Sequence, residues 1–95
     1  MNNDDKQIIE HFITNDEPEK AINKCMEILG SLNSHSDDYE LWFILGKAFW
    51  RNGQRKEATV AYRRSADLNP DGPAITALEI CENIASFFNP DLLNP

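Results

Sequence analysis

Basic residues are scarce in this chain of 95 residues: 9 are Lys or Arg against 16 Asp or Glu, for a net charge of −7. Nucleic-acid binding draws much of its free energy from neutralised phosphates, so this balance argues against nucleic acid as a partner. Cysteine is scarcer still, with only Cys25 and Cys81, far apart in the chain. Two lone cysteines make no disulfide framework and read as reduced, buried small hydrophobes. Long apolar runs are missing too. The longest, Leu41 to Leu45, is soon followed by Lys47, well short of the ~20 apolar residues that a membrane span needs. The opening "MNNDDKQ" has no basic stretch leading into an apolar run, so no signal peptide is expected and the protein is read as cytoplasmic, without a membrane partner.

Signs of catalysis are missing as well. There is no Gly-rich phosphate loop, no CxxC, no nucleophile elbow and no N-x-[ST] sequon. His11 sits beside Glu10 and His35 in a polar stretch, neither at metal-ligand spacing. The expectation is a non-enzyme with no catalytic residue, no metal and no cofactor. The length allows one small domain. A chain this short buries only roughly 60–65% of its unfolded surface and cannot wrap a deep internal pocket.

What is present is charge in blocks and helix signals in series. Residues 1–46 carry ten acids and three bases (−7), residues 47–66 six bases and one acid (+5), and residues 67–95 five acids and no base (−5). "KQIIEHFIT" puts Ile8, Ile9, Phe12 and Ile13 on a helical face. "DEPEKAINKCMEIL" opens with Asp16 and Glu19 in capping-box register and Pro18 in the first turn, with Ala21, Cys25, Ile28 and Leu32 as its apolar stripe. "DDYELWFILGKAFWRNG" opens on Asp37 and Glu40 and closes on Asn52-Gly53, a left-handed C-terminal cap. "QRKEATVAYRRSADLNP" keeps Ala58, Ala61, Tyr62, Ser65 and Leu68 on one side and stops at Asn69-Pro70. "PAITALEICENIASFF" starts at Pro73 and carries Ile75, Leu78, Ile80, Ile84 and Phe87. The sum is an all-α fold of five helices with short breaks.

The third helix, "LWFILGKAFW", is apolar on nearly every side and has a glycine in its middle. From Trp42 the residues read W-x2-L-G-x2-F, then A-x3-Y, then P, at Trp42, Leu45, Gly46, Phe49, Ala58, Tyr62 and Pro70. This resembles the tetratricopeptide repeat, W-x2-L-G-x2-Y…A-x3-F…P on a period of about 34 residues, with its two aromatics exchanged. The resemblance implies a repeat over 39–72, in which the first helix is covered on most of its circumference and Gly46 lets the second helix approach at Ala58. Upstream, Ala21 lies nine residues after Phe12 as Ala58 lies nine after Phe49. Residues 2–36 then form a degenerate repeat in which Asp5 replaces the Trp and Ile9 the Gly. Residues 73–88 lack the motif and are expected to be a closing helix, with Thr76, Glu79, Glu82, Asn83 and Ser86 as its polar outer face, followed by a tail over 89–95. A single superhelical domain of about two helix pairs plus a capping helix follows from the resemblance.

Tetratricopeptide arrays are non-enzymatic scaffolds that hold peptides or helices of a protein partner in a concave groove. Position by position, the resemblance makes Lys6, Ile13, Phe43, Lys47, Trp50, Arg51, Cys81 and Ile84 the partner-binding groove, with Asn3, Glu10, Glu40, Ala74 and Ala77 beside them. Phe43, Lys47 and Trp50 fall at i, i+4 and i+7, one stripe. They either anchor a partner or pack against the last helix or a second copy of the chain. One subclass clamps a terminal carboxylate with Lys, Asn and Arg. Lys6 fits that clamp, but Glu10, Ile44, Ala74 and Leu78 depart from it, so chaperone-tail binding is not expected. The basic block Arg51, Arg55, Lys56, Arg63 and Arg64 reads either as a solvated outer face or as a dock for acidic surfaces, the protein's own acidic ends included. With Phe87 and Phe88 at the end of the closing helix and Leu92 and Leu93 in the tail, that leaves homodimerisation as the alternative function.

Overall fold

The computed structural model describes residues 1–31 and 34–87, with side chains as far as Cys81. Its five helices are α1 (Asn3–Thr14), α2 (Pro18–Leu29), α3 (Tyr39–Arg51), α4 (Arg55–Leu68) and α5 (Ala74–Phe87). No strand occurs among the described residues, so the fold is all-α.

The helix ends follow from cap chemistry and correct the sequence reading in three places. α1 begins three residues earlier than its apolar face suggests, because Asn2 caps it: the Asn2 side chain accepts from the Asp5 N–H at 2.8 Å, and Asp4 and Asp5 favour the positive end of the dipole. Asp16 is not an N-cap. It adopts φ +59 and closes α1 instead, with Asp16 N–H donating to Ile13 C=O and Glu17 N–H to Phe12 C=O (3.2 and 2.7 Å). That paired 5→2 and 6→1 pattern is a Schellman ending, and it takes Asp16 out of the extended geometry an N-cap requires. α2 therefore starts from Glu17 with no side-chain cap and with Pro18 as its first residue. At α3 the cap is Asp38 rather than Asp37, accepting from the Leu41 N–H at 3.1 Å.

The α3–α4 turn repeats the α1–α2 turn. Gly53, at φ +79, donates to Trp50 C=O at 3.1 Å, and Gln54 N–H donates to Phe49 C=O at 2.9 Å. Asn52, Gly53 and Gln54 thus do what Asn15, Asp16 and Glu17 do, 37 residues later. The same offset separates Ala21 from Ala58, and both are fully buried.

α3 is the centre of the fold. It packs most extensively on α4 and also touches α2 and α1, while α5 lies against α4. Being covered from three sides, it buries Leu41, Trp42, Ile44, Leu45, Gly46, Ala48 and Phe49. Ile9, Ile13, Ala21, Cys25, Leu29, Ala58, Ala61, Tyr62 and Cys81 complete the core around it. A Cβ on Gly46 would lie 2.5 Å from Tyr62 Cδ1, so the residue that fills the glycine's space is Tyr62 and not the expected Ala58. In α2, Leu29 is the buried residue and Ile28 is exposed, since the stripe runs i, i+4, i+8 toward α1 and α3; Leu32 lies outside the described residues.

The polar contacts of the core are satisfied. Ser65, the one buried polar side chain described, donates to Tyr39 C=O at 2.6 Å, tying α4 to the start of α3. The Trp42 indole N–H donates to Ser36 C=O at 3.1 Å. Arg64 lies over the Trp42 ring at 5.0 Å and donates to Ser34 C=O at 3.1 Å, so the segment before α3 is strapped to its first turns. Leu68, Ile75 and Ile80, expected on inner faces, are exposed, because no described element lies beyond α4 and α5 to cover them. Thr76 and Glu79 do face outward, while the side chains of Glu82, Asn83, Ser86 and Phe87, and residues 88–95, lie outside the described part.

Candidate functional site

Two neighbouring depressions border α3. The first, about 300 Å3, opens where α1, the first turns of α3 and the residue before α5 meet; it is lined by Lys6, Glu10, Tyr39, Glu40, Phe43, Ile44, Lys47 and Pro73. Its floor is apolar, since Ile44 is buried and Phe43 half-buried. The rim carries two cations and two carboxylates. Lys6 and Glu40 form an ion pair across α1 and α3, and the hydrogen bond from that ammonium to Glu40, reinforced by its charge, holds the Lys6 pKa above the ordinary lysine value. Lys47 has its ammonium 5.5 Å over the Phe43 ring.

The second depression, about 150 Å3, lies under α5 and is lined by Trp50, Tyr62, Ala77, Ile80 and Cys81. Tyr62 joins the two: its ring is tilted 43° against Phe43 with centroids 5.6 Å apart. Burial pushes the Tyr62 phenol up to about 12, with the Cys81 charge adding to the effect. It is therefore neutral and serves as an apolar wall. Arg55 stacks on Trp50, its guanidinium carbon 4.9 Å from the ring centroid.

Of the residues expected to form one groove, Lys6, Phe43 and Lys47 share the first depression with Glu10 and Glu40. Trp50 and Cys81 share the second with Ala77. Arg51 is exposed at the end of α3. Ile13 is only 7% exposed, in the core cluster, and Ala74 is fully buried; neither lines these two depressions. Ile84 falls in α5, but its side chain is outside the described residues.

Tyr62 and Ile80 contribute to the site, although the helical pattern alone marks them only as apolar positions of α4 and α5. Arg55 belongs to the basic block, for which the sequence leaves a solvated face and a dock both open. The Arg55 contact has a local cause that the sequence carries. The tight Asn52-Gly53-Gln54 turn reverses the chain, so the residue after the turn lies back over Trp50.

Among the described residues no group of three or more His, Cys, Asp or Glu side chains is arranged to hold a metal ion. No described helix is long and apolar enough to cross a membrane. Cys25 and Cys81 are both buried, and they are not joined in a disulfide. Comparison with known proteins returns no relative: no family model matches the chain, nor does any curated protein or solved structure.

Proposed function

We propose that this chain is a non-enzymatic interaction module of the tetratricopeptide type, two helix pairs and a closing helix, that holds a peptide or helix of a protein partner across α1, α3 and α5. Two lines support the repeat reading: the motif from Trp42 to Pro70, and the matched Schellman turns of the two pairs at a 37-residue offset. The observation that carries the binding reading is the first depression. Side chains from two successive first helices, Lys6 and Glu10 from α1 and Glu40, Phe43 and Lys47 from α3, open onto one space with an apolar floor and a charged rim. Such a combination suits peptide recognition, in which the floor gives affinity and the rim fixes register. The reading places the protein in the cytoplasm, where thiols stay reduced.

A random peptide library displayed on phage, selected on the full chain, tests it. Peptides that bind saturably and lose binding to Phe43→Ala and Lys47→Glu chains of unchanged helicity are expected. An enrichment indifferent to both substitutions sinks the groove assignment.

Self-association is the second reading. Ile8, 43% exposed on α1, and Ile80, 52% exposed on α5, put apolar surface on the first and last described helices. Sedimentation equilibrium over a wide concentration range decides between the two: a monomer leaves the groove free, and a salt-insensitive dimer makes part of it a subunit interface.

A further inference from the structure

Seven of the nine Lys and Arg residues, all but Arg63 and Arg64 of α4, fall into two groups. Those of α1 and α2 each face a carboxylate: Lys6 pairs with Glu40, Lys20 with Glu17 at 3.3 Å, and Lys24 with Asp5 and Glu27 at 3.8 and 3.7 Å. The group around Trp50 does not. Residues 47–56, "KAFWRNGQRK", hold Lys47, Arg51, Arg55 and Lys56 and no acid. Among the described residues no carboxylate oxygen comes within 4.0 Å of these four. Lys47 and Arg55 rest on aromatic faces instead, Phe43 and Trp50.

This arrangement works against the fold. Arg55 and Lys56 are the first two residues of α4, at the positive end of its dipole, where cations lower stability. Lys47, Arg51, Arg55 and Lys56 also repel one another. Arg55 lies over Trp50, and Trp50 borders the second depression, an apolar recess of about 150 Å3 walled by Trp50, Tyr62, Ala77, Ile80 and Cys81. A dry cavity of about this volume accommodates benzene, so it has room for one bulky apolar side chain. Trp, Tyr and Arg are the residue types that most often dominate binding energy.

We infer that the Trp50 recess takes an acidic segment of a partner protein, in which one bulky apolar side chain enters beside Trp50 and flanking carboxylates pair with the cations of residues 47–56: Arg55, which lies over Trp50, and its sequence neighbours Lys47, Arg51 and Lys56. The inference rests on the groove reading above and adds the chemistry of the ligand. The rest of the surface, which brings the net charge to −7, repels the same segment. The basic patch therefore sets where and in which orientation it docks.

Two synthetic peptides test this on the full chain, one with a single leucine between glutamates and the other with lysines in their place. The readout is the indole N–H signal of Trp50 in nitrogen-edited NMR, with the buried Trp42 indole as internal control. The expected result is a saturable shift of Trp50 with the glutamate peptide, weakened as salt rises from ~0.05 M to ~0.5 M. Binding should be weaker by about tenfold, the sum of several exposed charge pairs, for the lysine peptide and for the Arg51→Glu/Arg55→Glu chain. Equal binding of both peptides, or no shift with the glutamate peptide, overturns it. If the phage selection yields Phe43-sensitive peptides that are not acidic, the groove reading stands and this inference alone fails. A dimer that Arg55→Glu converts to monomer would assign the patch to a second copy. A Leu92→Asp/Leu93→Asp chain that binds the glutamate peptide more tightly than the natural chain would assign it to the protein's own C-terminal segment. Either result overturns the partner proposal.

Discussion

Replacing Gly46 with alanine tests the packing of α3 on α4 at its tightest point. Two effects oppose each other. A mid-helix glycine is about 1 kcal/mol worse than alanine, so propensity alone makes Gly46→Ala stabilising. Against it stands Tyr62: the new Cβ would lie 2.5, 2.6 and 3.0 Å from Cδ1, Cε1 and Cγ of the ring. Carbon atoms pack at roughly 3.5–4.0 Å, so the ring must retreat by about 1 Å. The ring is 5% exposed and stacked against Phe43, so its retreat breaks that contact or pushes into the recess beside Trp50. Overpacking of a rigid buried group costs roughly 1–3 kcal/mol, and a shift of this size belongs near the top of that range. The net expectation is a loss of about 1–2 kcal/mol, or roughly 5–15 °C in Tm for a domain of this size. Urea unfolding followed by circular dichroism measures it as a lower midpoint at unchanged slope. The decisive control is the same substitution in a Tyr62→Leu chain. With the ring gone, the alanine should become neutral or stabilising, a coupling of about 1–3 kcal/mol. A Gly46→Ala chain as stable as the natural one, or cost without coupling to Tyr62, would refute the reasoning.

Asp16 holds the left-handed position that Gly53 holds in the equivalent turn, so Asp16→Gly should raise stability by about 0.5–1 kcal/mol, read as a higher urea midpoint; a loss would mean that the Asp16 side chain contributes something the backbone geometry does not reveal. Stability should fall on the alkaline side. Burial raises the Cys25 thiol from 9.0 to about 12 and the Tyr62 phenol from 10.0 to about 12. Well below pH 9 both groups are neutral folded or unfolded and contribute nothing, whereas as the pH rises through 9 and 10 toward 12 the unfolded chain ionises them and the folded chain resists. Urea midpoints against pH should show this fall, and Tyr62→Phe should remove the part that begins near pH 10. By the same burial, Cys25 should react with a thiol reagent at neutral pH only as fast as the protein opens. Trp42→Phe should cost about 1–3 kcal/mol, because it removes the hydrogen bond to Ser36 and leaves a smaller, weaker ring under Arg64; Arg64→Ala should then cost less in that background than in the natural chain.

The number of helices, their type and most of their boundaries were legible in the chain itself, because they rest on local chemistry. Apolar residues recur at helical spacing, Pro18 pre-sets a first turn, and Asn52-Gly53 ends α3. The unusual apolarity of α3 was legible too, since a helix covered by α1, α2 and α4 needs an apolar side for each. Within the site, the i, i+4, i+7 stripe of Phe43, Lys47 and Trp50 follows from helix periodicity alone.

Tertiary structure decided whatever depended on which neighbour arrives. Asp16 had the right spacing for an N-cap, but closing α1 with a Schellman turn required it at positive φ, and one residue cannot do both. Leu29 rather than Ile28 turned inward because both fit the helical period and only the direction of α1 and α3 distinguishes them. Tyr62, not Ala58, filled the space at Gly46, since a missing Cβ says that something comes close without saying what. Arg55 lay over Trp50, and Phe43 and Trp50 opened into separate depressions joined by Tyr62. Contacts between side chains far apart in sequence depend on the mutual placement of whole helices. That placement is set by the summed packing of α1, α2 and α4 around α3, to which each residue contributes only a part.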